Sequence, residues 1–181
     1  KKLTSDGPEA VGLEFRQLRE LVRESLREVR SIIYDLRPMA LDDLGLIPTL
    51  TKYLNTAKDN FGVPIIFKTL GVERRLSPKL EIAIFRLIQE SVHNACKHAD
   101  ATEIEVKVEF MEESVTLSIK DDGKGFNVEE KKENSFGLIG MSERVDLLGG
   151  KLNIQSTLEK GTLVLILIPV EVKEVKNELY N

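Results

Sequence analysis

Three polar residues of this chain are spaced so that they could act together: Glu90, Asn94 and His98, each four positions from the next. Residues four apart lie on the same face of an α-helix, so a carboxylate, an amide and a base would form one column. With Lys97 beside it, such a column could hold a metal ion and a polyphosphate. The opposite face of the helix can still be buried, through Val92, Ala95 and Cys96. An ordinary solvated helix face with i, i+4 pairing shows the same pattern, so the column alone leaves both interpretations open.

A second candidate site is the sequence DDGKGF, which begins at Asp121 directly after an alternating strand pattern. A carboxylate at a strand end can accept a hydrogen bond from an exocyclic amine. Gly123 and Gly125, one residue apart, permit tight backbone curvature and close approach of a ligand. A plain Asp-Gly turn has the same signature, so the motif alone is a weak indication.

Glycines also mark two later segments. The sequence FGLIGM contains Gly137, Leu138, Gly140 and Met141, follows a charged loop and opens a helix. Backbone N–H groups at a glycine-containing helix N-terminus can bind an anion, although a flexible helix entry would have the same sequence. Thr162 follows a glycine in the last predicted hairpin, where the glycine by itself predicts only a turn or a bulge.

The periodicity of apolar residues predicts the elements that position these motifs. Helical spacing and capping residues predict helices over 9–36, 47–60, 79–98 and 137–148. Alternation and short apolar runs predict strands over 63–70, 103–111, 115–121, 152–156 and 162–168. A Pro-containing linker is expected over 37–44 and a polar loop over 127–134. Helices that cover one face of hairpin-linked strands make an α+β fold, a two-layer α/β sandwich, here preceded by a long helix.

Length and composition bound the class of protein. With 181 residues, 41% of them hydrophobic and 31% charged, the chain can hold one soluble domain and an appendage. A net charge of −4, with no basic patch and no Trp, argues against a direct nucleic-acid partner. The single cysteine, Cys96, excludes an internal disulfide and a Cys-based zinc site, and it fits a reducing compartment. The longest apolar run, residues 163–168, is too short to span a bilayer, and we expect no signal peptide and no membrane contact for this fragment.

In their order, these motifs resemble the nucleotide-binding fold that histidine kinases share with gyrase-type topoisomerases, Hsp90 and the mismatch-repair ATPases. Residues 90–98 resemble the N box, residues 121–126 the first glycine box and residues 137–141 the second. The sequences IIYDLRP at 32–38 and LDDLGL at 41–46 are similar to the junction between dimerisation helix and ATP-binding domain in sensor histidine kinases of the DegS/NarX/LiaS type. The resemblance implies a partial dimerisation and phosphotransfer region over 1–40 and an ATP-binding catalytic domain over 41–181.

At the base of the nucleotide, the resemblance implies a role for each matching residue. Asp121 would hold the adenine amine, Gly125 would let the backbone approach the base, and Thr162 would assist through water. Gly137 and Gly140 would let residues 127–136 close as a lid. The other members of the two glycine boxes expected at the nucleotide are Gly123, Leu138 and Met141.

At the phosphate end of the nucleotide, the resemblance implies a role for each residue of the helix column. Asn94 would supply an oxygen ligand to Mg²⁺, a cation that prefers hard oxygen donors. Glu90 would order metal-bound or attacking water. Lys97 and His98 would lie near the phosphates, and the resemblance does not decide which of them makes contact. ATP and Mg²⁺ are therefore the expected cofactors.

The chemistry implied is transfer of the ATP γ-phosphoryl group to a histidine of the dimerisation bundle and then to an aspartate of a response regulator. We therefore expect a cytoplasmic protein that is a homodimer at full length and has a response regulator as partner. The acceptor histidine normally precedes an Asp-Gly-Pro sequence, whereas Ser5 stands before Asp6-Gly7-Pro8 here. Either Ser5 replaces the histidine or the match is accidental, and room for only one bundle helix favours accident. His93 and His98 lie inside the nucleotide-binding helix and are poor substitutes, so we expect a fragment without the histidine-bearing helix.

Two other functions share parts of this pattern. A serine protein kinase of the anti-sigma type has the same pocket. Such a kinase would not explain the long helix predicted over 9–36 or the YDLRP junction. An ATP-gated interaction module, in which the lid and helix signal nucleotide occupancy to a partner, is the non-enzymatic alternative.

Overall fold

The structure is a computed structural model that describes residue 19, residues 39–128 and residues 136–170. The chain divides into two compact units, Lys1–Pro38 and Met39–Asn181, and the second is described here by itself. The long helix predicted over 9–36 lies outside the described residues except for Arg19, which is helical. Of the polar loop predicted over 127–134, only Asn127 and Val128 are described, and Val128 has helical backbone where a loop was predicted.

The second unit contains both helices and strands. Its helices are α1 (Met39–Leu44), α2 (Leu46–Phe61), α3 (Pro78–His98) and α4 (Phe136–Leu147). Its strands are β1 (Ile65–Gly71), β2 (Ile104–Phe110), β3 (Ser114–Asp121), β4 (Lys151–Ser156) and β5 (Thr162–Pro169). These bounds confirm the predicted elements from residue 46 onward, with shifts of one or two residues at their ends. None of the helices in the described part of the chain combines the length and apolar character that a bilayer crossing demands.

The helix α1 corrects the linker predicted over 37–44. Six residues are too few for a helix that is stable on its own local preferences. Tertiary contacts stabilise it instead, because Leu41 is fully buried and the Arg75 guanidinium donates to the Leu41 and Asp42 carbonyls at 3.2 and 3.4 Å. Arg75 lies more than thirty residues further along the chain, so no local pattern could reveal this contact.

The strands form one five-stranded sheet in the order β1-β2-β3-β5-β4. The pairs β2–β3, β3–β5 and β4–β5 are antiparallel, while β1 and β2 are parallel. The prediction that hairpins link the strands is therefore right for β2–β3 and β4–β5 and wrong for β1–β2. The intervening helix α3 returns the chain to the starting edge, which is what a parallel pair requires. The α+β two-layer class itself is confirmed.

The core lies between one face of the sheet and the helices. The inward residues of the three central strands are Ile104, Val106, Val108, Phe110, Val115, Leu117, Ile119, Val164, Ile166 and Ile168, all buried. Burying one such aliphatic side chain contributes roughly 1.5–3 kcal/mol. The helix α3 packs on this face, and it begins where predicted: the Ser77 hydroxyl accepts from the Leu80 N–H at 3.4 Å, with Pro78 in the first turn. The inward face ends at Asp121 and Thr162, so the candidate site is built at the edge of the core.

Candidate functional site

The column on α3 meets the start of α4. The Asn94 side-chain N–H donates to Glu90 Oε1 at 3.3 Å, and both side chains are half-buried. Gly137 lies against this pair: a Cβ placed on it would touch Glu90 Oε1 and come within 3.7 Å of Asn94 Nδ2. The structure thus brings together the first half of the predicted column and the first glycine of the FGLIGM motif.

Lys97 and His98 occupy the last turn of α3, and both are exposed. Cationic side chains at a helix C-terminus are favoured by the helix dipole, which gives them a structural reason beside any contact with phosphate. The structure therefore places both residues at the end of the column and does not decide which of them would contact phosphate.

The donor set of the column suits magnesium. Glu90 supplies a carboxylate oxygen and Asn94 an amide oxygen, both of the hard type that Mg²⁺ prefers. Among the described residues, no group of three or more His, Cys, Asp or Glu side chains could hold a metal by itself. Because Mg²⁺ commonly binds through one or two protein oxygens together with substrate phosphates and water, the two residues fit that mode and not a closed protein cage.

At the other end of the site, strand register places Asp121, Thr162 and Ser156 in one row on the inward face. Asp121 is the register partner of Thr162, and Thr162 is that of Ser156. The Ser156 and Thr162 hydroxyl oxygens are 2.9 Å apart, and Thr162 also hydrogen-bonds to Asp121. The row forms a polar floor where the apolar face of the sheet ends.

The carboxylate of Asp121 is held in a mixed environment. Only 7% of the residue is exposed, and this burial raises the pKa of its carboxyl above the usual range of aspartate. Hydrogen bonds from the Gly123 N–H, at 3.0 Å, and from Thr162 act in the opposite direction. A buried acceptor of this kind gains most from a donor that reaches it within the pocket, and the exocyclic amine of a purine base is such a donor.

The glycines of the DDGKGF motif are required by the protein's own packing. A Cβ on Gly123 would collide with the Ala99 carbonyl oxygen at the end of α3. Gly125 has a φ of +58°, and a Cβ there would collide with the Thr157 carbonyl oxygen. The loop is therefore pressed between α3 and the β4–β5 hairpin, and the approach of a base to Gly125 stays a prediction.

The remaining residues of the FGLIGM motif differ in their surroundings. Met141 is 1% exposed, and its sulfur lies 3.9 Å from the Ser91 hydroxyl, so this side chain anchors α4 to α3. Leu138 is half-buried. A Cβ on Gly140 would meet no atom of the described chain within 4 Å. Contact between these three residues and a nucleotide remains a prediction.

Three polar residues at the site were missed by the sequence analysis. Ser156 accepts from the Phe126 N–H at 2.9 Å, which ties the DDGKGF loop to β4. Asp122 accepts from the Thr102 and Glu103 N–H groups at 2.8 and 3.0 Å, and the Thr102 hydroxyl is the main cause that lowers its carboxyl pKa. The doubled Asp was a signal for Asp122, whereas Ser156 could be found only from the pairing of β4 with β5.

The third is Tyr53 on α2, which lies beside the column. Its hydroxyl donates to the Gln89 carbonyl at 3.3 Å. Burial, followed by the neighbouring Cys96 and Glu90, raises the pKa of Tyr53 to about 12. The hydroxyl therefore stays a donor at neutral pH, and nothing in the local sequence marks it as different from a core tyrosine.

Comparison with known proteins agrees with this geometry. A family model described as "Histidine kinase-, DNA gyrase B-, and HSP90-like ATPase" matches residues 79–172, which contain all of the predicted site residues. The signal transduction histidine-protein kinase/phosphatase DegS of Brevibacillus brevis is 52% identical over 161 residues, covering 89% of this chain and 42% of that protein. DegS of Bacillus subtilis (strain 168) is 54% identical over 163 residues, covering 87% and 42%. The chain thus spans less than half the length of these curated relatives, and the predicted resemblance to kinases of the DegS type is confirmed.

Solved structures agree at the level of the fold. The histidine kinase domain of the blue-light activated histidine kinase from Erythrobacter litoralis matches with a TM-score of 0.55 and 23% identity, covering 67% of this chain and 59% of that one. The Acinetobacter baumannii histidine kinase AdeS matches with a TM-score of 0.59 and 13% identity, covering 92% and 87%. From the match over 79–172 and the paired glycine boxes on a two-layer fold, the chain belongs to the family of histidine kinase-, DNA gyrase B- and HSP90-like ATPases.

Proposed function

We propose that this chain is the ATP-binding catalytic part of a two-component sensor histidine kinase. In the full-length homodimer, the γ-phosphoryl group of Mg-ATP passes to a histidine and then to an aspartate of a response regulator in the cytoplasm. Residues 1–40 would belong to the dimerisation region and residues 41–181 to the catalytic domain. The observation that carries the proposal is the separation of the site into a buried carboxylate at Asp121 and a polar cluster at Glu90, Asn94 and Gly137.

The two ends of this site suit the two ends of ATP. The Asp121 carboxylate would accept a hydrogen bond from the adenine amine. Thr162 and Ser156 would orient this carboxylate through their row of hydroxyl groups. The triphosphate extends toward α3, where Asn94 and Glu90 would hold Mg²⁺, which neutralises phosphate charge when bound. At the same end, Lys97 would add positive charge or His98 a hydrogen-bonding imidazole.

Radiolabelled ATP tests this function. The acceptor histidine is expected outside this chain. Incubation of the chain with γ-labelled ATP and Mg²⁺ should therefore leave no covalently attached label of the kind that acid removes. The full-length protein, or the chain supplied with the upstream helices, should acquire label that is acid-labile and alkali-stable, as phosphohistidine is. Stable label on this chain alone would contradict the proposal, label on a partner serine would favour the serine kinase, and nucleotide binding without any transfer would favour the interaction module.

A further inference from the structure

Ser156, the last residue of β4, lies at one end of the hydroxyl row. The motifs that resemble the N box and the two glycine boxes do not include it. Its oxygen has three polar neighbours: the Phe126 N–H donates to it at 2.9 Å, Thr162 Oγ1 is 2.9 Å away, and the Gly161 carbonyl oxygen is 3.2 Å away. One half-buried hydroxyl thus joins the end of the DDGKGF loop to the row that contacts Asp121.

The DDGKGF loop is held in a different way at its middle and at its end. In the middle, the Lys124 N–H donates to the Ala99 carbonyl at 2.7 Å, a backbone contact with the end of α3. At the end, the Phe126 N–H donates to the Ser156 hydroxyl. A carbonyl only accepts, whereas a hydroxyl both donates and accepts. Of these two contacts, the one at Phe126 can therefore respond to a change elsewhere in the row.

The hydrogen bonds of the row have a direction that Asp121 determines. An ionised carboxylate only accepts, so the Thr162 hydroxyl, which hydrogen-bonds to it, must donate its single hydrogen there. The Thr162 oxygen then accepts from the Ser156 hydroxyl, and the Ser156 oxygen accepts from the Phe126 N–H. Three donors in series point from the loop to the carboxylate. Each bond in such a chain polarises the next and strengthens it by roughly 10–30%.

A second arrangement of the same hydroxyl groups is also possible. If the Thr162 hydroxyl turns from Asp121 toward Ser156, the Ser156 hydroxyl can turn to the Gly161 carbonyl oxygen, which is within reach. The series from the loop to the carboxylate is then broken. A ligand amine that donates to the carboxylate favours its ionised form, and with it the first arrangement. Occupation of Asp121 should therefore strengthen the hydrogen bond at Phe126.

We propose that Ser156 is a positioning residue of the ATP site. Through Thr162, it couples an adenine amine bound at Asp121 to the hydrogen bond that fixes the end of the DDGKGF loop at Phe126. This inference rests on the proposed function and deepens it, because it adds a residue that acts on the base-binding carboxylate without contacting the nucleotide. A nucleotide with no amine at that position, such as GTP, should leave the coupling unused.

Calorimetric titration of the 181-residue chain with Mg-ATP tests the effect on affinity. Ser156→Ala should raise the dissociation constant by about two- to tenfold, the range expected for one lost hydrogen bond. Ser156→Thr keeps the hydroxyl and should bind ATP like the wild type. Gln155→Ala is the matched control, because Gln155 is the exposed neighbour on the same strand and points to the other face of the sheet. Wild-type affinity in Ser156→Ala would overturn the inference.

A double-mutant cycle separates positioning from a structural role. If Ser156 acts through the carboxylate, Ser156→Ala should add little further loss of ATP affinity to a chain that already contains Asp121→Asn. Additive losses in the double variant would show that Ser156 acts independently of Asp121, and they would overturn the coupling. Failure of the wild-type chain to bind ATP would instead overturn the proposed function, and the inference with it.

Amide hydrogen exchange, followed by NMR, measures the hydrogen bond at Phe126 directly. In the wild type, ATP should slow the exchange of the Phe126 N–H, and GTP should not. In Ser156→Ala, this exchange should be about two- to tenfold faster and insensitive to ATP, while that of the Lys124 N–H, bonded to Ala99, should change less.

Ser156→Cys covers the case in which Ser156→Ala fails to fold, because a thiol is similar in size and hydrogen-bonds weakly. Its Phe126 N–H should also exchange faster than in the wild type. Equal slowing by ATP in the wild type and in the serine variant that folds would overturn the coupling and leave the kinase function intact. Equal slowing of the wild type by ATP and GTP would overturn recognition of the amine as its trigger.

Discussion

At the scale of single residues, the site depends on a carboxylate that the fold makes costly to ionise. Asp121 lies where the apolar face of the sheet ends, and burial is the largest cause of its raised pKa. Backbone and hydroxyl donors offset part of that cost, and a ligand amine would offset more. In the proposed function, Asp121 would therefore couple recognition of the adenine base to its own protonation state.

Asp121→Asn should weaken ATP binding. It replaces a charged acceptor with a neutral amide whose N–H₂ faces the adenine amine, and loss of a hydrogen bond to a charged group costs roughly 1.5–3 kcal/mol, which is about tenfold to a hundredfold in affinity. Isothermal titration calorimetry measures the change. Asp146→Asn, an exposed change on α4, is the control and should bind ATP like the wild type. Unchanged affinity in both Asp121→Asn and Asn94→Ala would remove the site assignment.

The affinity for ATP should also fall as the pH is lowered. The ionised carboxylate of Asp121 is a stronger acceptor for the amine than the protonated acid, and burial raises the pKa of this carboxyl, so protonation begins at a higher pH than for an ordinary aspartate. ATP affinity should therefore decline on the acidic side before exposed carboxylates titrate. The same titration with Asp121→Asn should be flatter over this range, and equal slopes for the two proteins would count against the role of Asp121.

Gly137 and Gly140 form a matched pair on α4. An alanine at 137 would press on Glu90 Oε1, the end of a flexible side chain, so Glu90 should rotate away at little cost to stability and the phosphoryl-transfer rate should fall. An alanine at 140 would meet no atom of the described chain within 4 Å and should stabilise the unliganded protein by about 0.5–1 kcal/mol, because glycine disfavours a helix interior. Urea unfolding measures the stability of the two variants, and the phosphoryl-transfer rate of the full-length protein measures their effect on activity. Loss of stability in Gly140→Ala would contradict the geometry.

At the scale of elements, the short helix α1 is tied to α3 through one ion pair. Arg75 Nε lies 3.2 Å from Glu81 Oε1, while the same guanidinium donates to the Leu41 and Asp42 carbonyls of α1. Glu81 is 1% exposed, also accepts from the Leu76 N–H, and keeps its other carboxylate oxygen buried without a hydrogen-bond partner in the described chain. The Arg75 guanidinium is thus the cation that pairs with the buried Glu81 carboxylate near the start of α3.

Arg75→Met should destabilise the protein by roughly 1–2 kcal/mol, since a buried carboxylate would lose its cation and α1 its carbonyl donor. The estimate is kept below that of a fully buried pair because the Arg75 side chain is 58% exposed. Adding Glu81→Gln to this variant should recover part of the loss, because no charge then remains buried. Urea denaturation of the four proteins of this cycle measures the coupling. Lys79→Met, an exposed cation in the first turn of α3, is the control and should change stability by less than about 0.5 kcal/mol.

At the scale of the whole molecule, nucleotide binding should stabilise the fold, because ATP would bridge α3 and the sheet edge at Asp121. A ligand at a hundred times its dissociation constant adds about 2.7 kcal/mol. Thermal unfolding with ATP and Mg²⁺ should therefore show a raised melting temperature, and chelation of the metal should remove much of the shift. GTP is the matched control, because guanine presents a carbonyl oxygen where adenine presents an amine. An equal shift with GTP would contradict recognition through Asp121.

Much of the fold could be predicted because its signals are local. Alternation over 103–111 and 115–121 determined which strand residues face the core, and Ser77 with Pro78 determined where α3 begins. These features depend on backbone preferences and on neighbours within a few residues, which a sequence displays directly. The same local patterns contained the motifs from which the ATPase family could be named.

What only the tertiary structure decided was which distant groups meet. The register of β3, β5 and β4 aligned Asp121, Thr162 and Ser156, and a slip of one residue would have turned them to opposite faces. The approach of Gly137 to Glu90, and the helix that replaced the linker before residue 45, likewise arise from packing between segments far apart in the chain. The sequence by itself determined the chemical groups and their elements, because these follow from local preference. Their distances and partners required the fold, because long-range packing is the sum of many contacts that no single segment encodes.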